Sequence, residues 1–247
     1  MGQYYLIVNA SRQKRMCVEP RPLAKMWEIL VNVGGKPALA LALLQPSKEG
    51  DPFGYWSGDR VFFLGDYAGD LPPPCREATA ARCYDDVYNS FAVTSEFGSP
   101  EVMLQRMRAG GVSETDHHVA VNLDTKEYIT RGAVVWSVLR DTECLFFCVC
   151  VVHQRPWRRR GRDPVVFGQS PSVLEWGRQA DGAMRALCAC LFWSTEGDRG
   201  VAVSLSRGRW AGSRIAIVRW DSLAKEADAW SEIGAQVAHR LASDLEA

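Results

Sequence analysis

The sequence lacks several features that would place it in a functional class. It has no excess of either charge: Lys plus Arg and Asp plus Glu are both 29. A balanced chain makes no global case for nucleic acid, an anionic membrane surface or a strongly charged partner. It has no long apolar run either. The longest, LFFCVCVV at 145–152, is closed by Arg140, Asp141 and Glu143 on one side and by His153 and Arg155 on the other. It falls far short of the roughly 20 residues that span a bilayer, so no membrane span is expected. The opening MGQYYLIVNASRQKR has neither the basic n-region nor the long h-region of a secretory signal, and Leu6 breaks the myristoylation pattern. The eight cysteines, Cys17, Cys75, Cys83, Cys144, Cys148, Cys150, Cys188 and Cys190, show no disulfide-framework spacing. The expectation is a soluble intracellular protein with reduced thiols.

Catalytic signatures are missing as well. No Ser/His/Asp or Cys/His motif stands in a recognisable context, and no GxxxxGK[ST] loop is present. An enzyme assignment has no support at this level. What is there is bulk: 247 residues, 47% apolar, enough to bury a substantial core.

The chain repeats itself. YYLIVNASRQKRM (4–16) lines up with HHVAVNLDTKEYI (117–129), each reading as a strand that ends at an Asn-led turn. PALALALL (37–44) lines up with RALCACLF (185–192), apolar all round and read as buried helices. EGD recurs at 49–51 and 196–198. GYWSGDRVFFLGDY (54–67) and GRWAGSRIAIVRWD (208–221) share G-x-W-x-G-x-R followed by an apolar strand. YDDVYNSF (84–91) resembles WSEIGAQV (230–237). Five matches in one order predict two copies, 1–110 and 111–247. The first match recurs 113 residues on and the second 148 residues on, so copy two carries an insert of about 35 residues at 133–166. The fold class expected is α+β with two related halves, each a small mostly antiparallel sheet packed on helices. A capping box at Ser172–Glu175 and Ser99-Pro100 predict two helix starts. Leu223, Ala227, Trp230, Ile233, Val237 and Leu241 predict a long amphipathic helix at the end.

MGQYYLIVN together with GYWSGDRVFFLGDY resembles a family of uncharacterised small bacterial proteins that begin MGQYY-x-IVN and carry a G-x-W-A-G-D-R-I-x-x-x-G-D-Y segment. The resemblance covers most of copy one and, more loosely, copy two. Gly212-Ser213-Arg214 and Arg219-Trp220-Asp221 depart from the family's Gly-Asp-Arg and Gly-Asp-Tyr. It implies a fold relationship and no activity.

In the repeated motif, Trp56, Gly58, Trp210, Gly212 and Arg214 read as structural. The Gly takes a turn position with positive φ, and the Trp packs under the Arg guanidinium. The competing reading makes Gly58 or Gly212 an anion-facing amide, with Arg60 or Arg214 as clamp. If a ligand site exists, copy one is its better home, around Asn9, Asp59, Arg60 and Asp66, because copy two has Ser213 for Asp59 and Trp220 for Asp66. Asp59, Asp66, Asp70, Asp85 and Asp86 make copy one acidic but lack EF-hand spacing. His117-His118 point to opposite faces of a strand. Only Cys144-x3-Cys148 partly fits a zinc spacing, and Cys188 and Cys190 align with Ala40 and Ala42. No metal and no cofactor are expected. The function expected is a non-catalytic binding or assembly protein; the alternative is an enzyme or small-ligand binder with its site in copy one. A protein partner is expected, and LFFCVCVV in the 133–166 insert is expected either to cover an exposed apolar face of the chain or to dock onto that partner. The WRRRGR run at 157–162 reads as a solvated basic loop, so nucleic acid is not the expected partner.

Overall fold

The computed structural model describes residues 4–16, 44, 54–94, 118–130, 186–195, 206–237 and 240. Its strands are β1 (Tyr5–Asn9), β2 (Lys14–Met16), β3 (Asp59–Gly65), β4 (Ala92–Val93), β5 (His118–Asn122), β6 (Glu127–Ile129), β7 (Phe192–Trp193), β8 (Arg214–Arg219) and β9 (Ser231–Glu232). All nine join one sheet, in the order β4-β2-β1-β3-β8-β5-β6-β9, with β7 paired to β3. Two separate small sheets were expected. They merge because β3 and β8 pair antiparallel, Asp59 opposite Ile215 and Arg60 opposite Arg214.

Outward from that seam the pairings follow the same sequence on both sides. β3 and β8 each meet an antiparallel strand, β1 or β5. Those meet β2 or β6 through an antiparallel hairpin. The last strand on each side, β4 or β9, is parallel to its neighbour.

The two hairpins close by the same chemistry. Asn9 Oδ1 accepts the Arg12 N–H at 3.0 Å, and Asn122 Oδ1 accepts the Asp124 and Thr125 N–H groups at 2.9 and 3.2 Å. Asn favours such turns because its short side chain replaces a backbone acceptor. Both turns then need a left-handed residue, Gln13 (φ 51°) and Lys126 (φ 53°).

Alternation in YYLIVN suggests one wet face, yet every residue of β1 is buried. The sheet is covered on both sides there. Leu6, Val8, Phe62 and Leu64 pack with Val87 and Phe91 from α1 (Tyr84–Ser90) and its following residue. On the opposite face, Tyr5 and Phe63 meet the edge of Phe192, with ring centroids 4.9 and 5.5 Å apart. Residues 186–191 are helical and wholly buried, as the Ala/Leu/Cys composition predicts, and Phe192 then enters β7. Gly208 lies flat against this helix: a Cβ there would come within 2.3 Å of the Cys190 carbonyl oxygen.

The long terminal helix does not form. Trp220–Leu223 is a short α2, Ala224–Ala229 is 3₁₀ with a break at Glu226, and Trp230 is extended. β9 follows, donating from Ser231 N to Lys126 O and from Ile233 N to Tyr128 O. The sheet edge claims the backbone that a helix would have used, and Leu223 and Ile233 reach the core from separate elements. The proposed match of 84–91 with 230–237 fails with it. α1 precedes β4, whereas the helical residues 234–237 follow β9. The element before β9 is 220–229, and a short apolar periodicity cannot distinguish these registers. The insert at 133–166, both predicted helix starts and most of PALALALL lie outside the described residues; Leu44, its last residue, is helical and buried.

Candidate functional site

The two G-x-W-x-G-x-R segments meet at the β3–β8 seam. Gly54, Gly58 and Gly212 have φ of 77°, 82° and 77°, as the turn reading requires. Each turn closes on its own Trp carbonyl: Asp59 N donates to Trp56 O at 3.0 Å, and Ser213 N donates to Trp210 O at 2.9 Å. Each glycine then donates across the seam. Gly58 N bonds Ile215 O at 2.8 Å, and Gly212 N bonds Val61 O at 3.1 Å. An anion cradle needs free amides at these positions, and both are used.

Trp56 and Trp210 are fully buried, but neither lies under its Arg. Among the described residues the cation–ring contacts are Arg12 and Lys14 with Tyr55, Arg15 with Tyr88, and Arg207 with Trp193. The arginines of the motif go elsewhere because a carboxylate competes successfully for them. Arg60 Nη1 reaches Asp124 Oδ2 at 2.8 Å and the Gly212 carbonyl at 3.1 Å. Arg214 Nε donates to Asp124 Oδ1 at 2.7 Å, and its backbone N–H to Asp124 Oδ2 at 3.1 Å. Burial alone would raise the Asp124 carboxyl, but the hydrogen bonds from Arg214 and the charge of Arg60 outweigh it and hold the group below 3.8. Arg60 N bonds Ser11 Oγ at 2.9 Å in the place where Arg214 N bonds Asp124.

Asp59 and Arg60 are neighbours in a strand, so their side chains leave on opposite faces. Asp59 accepts from Asn9 Nδ2 at 2.8 Å and from Arg12 Nε at 2.5 Å, and Arg12 in turn lies 4.1 Å over Tyr55. Ser213 stands at the corresponding register position in β8's approach, and the buried Asn122 Nδ2 has no partner. Asp66 lies seven residues from Asp59, roughly 20 Å along an extended chain. Its Oδ1 accepts the Tyr4 N–H at 3.1 Å. The four candidate ligand residues therefore split: Asn9 and Asp59 touch, Arg60 faces away from them, and Asp66 is remote.

The other acidic residues do not converge. Asp70 pairs with Arg76 at 2.5 Å and takes the Trp193 indole N–H through its backbone carbonyl at 3.0 Å. Asp86, in the first turn of α1, accepts the Arg82 N–H at 2.7 Å. Among the described residues no three His, Cys, Asp or Glu side chains form a metal-sized group. A shallow surface depression of about 380 Å³, lined by Gly69, Asp70, Leu71, Arg76, Ala81 and Arg82, contains none of the predicted site residues. His117 and the side chain of His118, Cys144, Cys148, Cys150 and WRRRGR lie outside the described residues. Cys188 and Cys190 are buried, as their alignment with alanines predicts. Among the described residues no helix is long and apolar enough to cross a membrane.

Sequence reasoning missed Asp124, which binds both motif arginines, and Glu127, which accepts the Trp210 indole N–H at 2.7 Å and pairs with Arg209. Asp124 lies within the turn that Asn122 starts, and Glu127 directly follows it. The local signal was a charged residue in or just after an Asn-led turn, which marks the position but not its partner. Comparison with protein-family models, curated proteins and solved structures finds no match.

Proposed function

We propose that this protein is a non-catalytic binding or assembly protein, built from a duplicated α+β unit of the MGQYY-x-IVN kind, with copies at 1–110 and 111–247. The observation that carries the reading is the reciprocal seam. Gly58 donates to Ile215 and Gly212 donates to Val61, so the most chemistry-laden motif in the chain joins one copy to the other. The pairing order, the Asn-closed hairpins and the left-handed Gln13 and Lys126 support the same correspondence. Each motif arginine already has an internal carboxylate, which argues against a substrate clamp. The described Cys75, Cys83 and Cys190 are free thiols, which fits a reducing intracellular setting.

The partner is a protein engaged through 133–166, whose apolar LFFCVCVV run needs a surface to cover it. Cross-linking of the full chain in native extract, read by peptide mass spectrometry, should map a bound protein to 133–166. Replacing that segment by a short Gly/Ser bridge should abolish the cross-links, and Asp59→Asn should leave them. A partner that survives the deletion but is lost in Asp59→Asn would overturn the reading in favour of a copy-one ligand site.

A further inference from the structure

Arg15 is the anomaly of the described structure. It sits in β2 between Val8 of β1 and Val93 of β4, on the face that α1 covers. It is only 9% exposed, and its Nε and Nη1 are buried without a hydrogen-bond partner. The Tyr88 ring lies over the guanidinium at 4.3 Å. The ion pairs of the described residues belong to other arginines, among them Arg12 with Asp59, Arg76 with Asp70 and Arg60 with Asp124. Two guanidinium nitrogens buried without a partner are costly, because they have lost water and, among the described residues, gained no carboxylate.

The fold does not require a cation there. Tyr128 occupies the corresponding register on the other side of the seam, between Val121 and Glu232, and packs on Trp220 with centroids 5.6 Å apart. A neutral ring fills that place. Arg15 therefore meets a need other than packing.

We propose that Arg15, roofed by Tyr88, anchors a site for a small oxyanion, a carboxylate or a phosphate. The Tyr88 side is the approach, since that residue is 46% exposed on the last turn of α1. Tyr84 stacks on Tyr88 with centroids 6.1 Å apart and stands half-buried beside the same cluster. Burial, and then the charge of Asp66, push its phenol up to about 12, so it remains a hydrogen-bond donor at neutral pH. Among the described residues, Asp66 and Asp85 are the carboxylates whose charge reaches Tyr84. The proposal stands independently of the assembly reading.

The test is thermal unfolding of the full chain in inorganic phosphate, acetate or chloride at matched ionic strength. The wild type should show a saturable rise in Tm with phosphate or acetate over chloride, and the effective anion identifies the ligand class. Arg219→Gln, at a distant exposed ion pair, should behave like the wild type. Arg15→Met should lose the anion response and be at least as stable as the wild type in chloride. Arg15→Lys should weaken the apparent affinity tenfold or more, because the ammonium cannot present a planar fork. If Arg15→Met does not fold, the ¹⁵N resonance of Arg15 Nε in the wild type reads the same event, and it should shift on titration. A wild type with no saturable response, or an Arg15→Met variant that keeps it, overturns the proposal.

Discussion

Gly58 and Gly212 occupy the same left-handed turn position, yet an added side chain meets different neighbours at each. At Gly58 a Cβ comes no closer than 3.8 Å to Leu123, so Gly58→Ala carries backbone strain alone, about 1 kcal/mol. At Gly212 the same Cβ lies 2.8 Å from both Cys75 Sγ and Pro72 Cβ. Gly212→Ala should cost clearly more, about 2–4 kcal/mol with overpacking added. Urea midpoints of the two variants check this ordering, and equal midpoints would contradict it. Trp56 and Trp210 are alike in burial but not in bonding. Each Trp→Ala variant should lose about 3–5 kcal/mol in a denaturant melt, and Trp210→Ala should be the worse, because Glu127 loses the indole donor. Thiol reactivity offers a third check at this scale. Burial pushes the Cys75 and Cys190 thiols up to about 12. In native protein at pH 8, site-resolved alkylation should modify the half-buried Cys83 and leave Cys75 and Cys190 intact until denaturant is added.

At the level of elements, the hairpin turn after β5 does more than reverse the chain. It places Asp124 where β3 and β8 cross, and one carboxylate serves two arginines from two strands. Because the folded carboxyl lies below its ordinary 3.8, the seam gains stability that is fully present above that value. That stability is lost as pH falls through the lower folded value, where protonation releases both arginines. Unfolding midpoints measured from pH 6 to pH 3 should therefore fall in the wild type. Asp124→Asn should be less stable at pH 6 and should show a flatter acid limb. An acid limb identical in the two proteins would remove Asp124 from this role. Solvent screens the network, since the Arg214 side chain is 51% exposed and Arg60 and Asp124 are partly exposed, and this limits the effect.

Across the whole molecule, the β3–β8 seam makes one sheet of two similar arrangements of strands. Two residue pairs, the reciprocal glycine bonds and the bond from Val61 N to Ser213 O at 3.2 Å join β3 to the β8 side, while Phe192 and Trp193 of β7 pair with β3 from the far part of the chain. Core residues Trp193 and Ala211 belong to the same cluster as Leu6 and Val8. Residues 1–110 and 111–247 expressed separately should each fail to give a cooperative melt, and mixing them should restore native far-UV and near-UV signals. Independent cooperative folding of either fragment would contradict a shared core. Loop closure costs only about 0.6 kcal/mol per doubling of length. Replacing 133–166 with a Gly/Ser bridge should accordingly leave a single cooperative transition in the full chain.

The sequence by itself determined what local chemistry controls. Asn9 and Asn122 announce their turns because the side chain closes them. Gly58 and Gly212 announce positive φ because other residues are strained there. VFFLGDY and IAIVRWD announce central strands because only a strand covered on both faces tolerates such unbroken apolar runs. The tertiary structure alone decided the rest. Which carboxylate holds Arg60 depends on a register between residues 64 positions apart, and the Asn-led turn that carries Asp124 does not name that partner. Trp230 to Ile233 have helical spacing, but an open edge at β6 offered hydrogen bonds that outweighed a short helix. Arg15 looks like one more basic residue beside a polar turn until α1 closes over it and buries two of its guanidinium nitrogens, a consequence of packing that no spacing in the chain records.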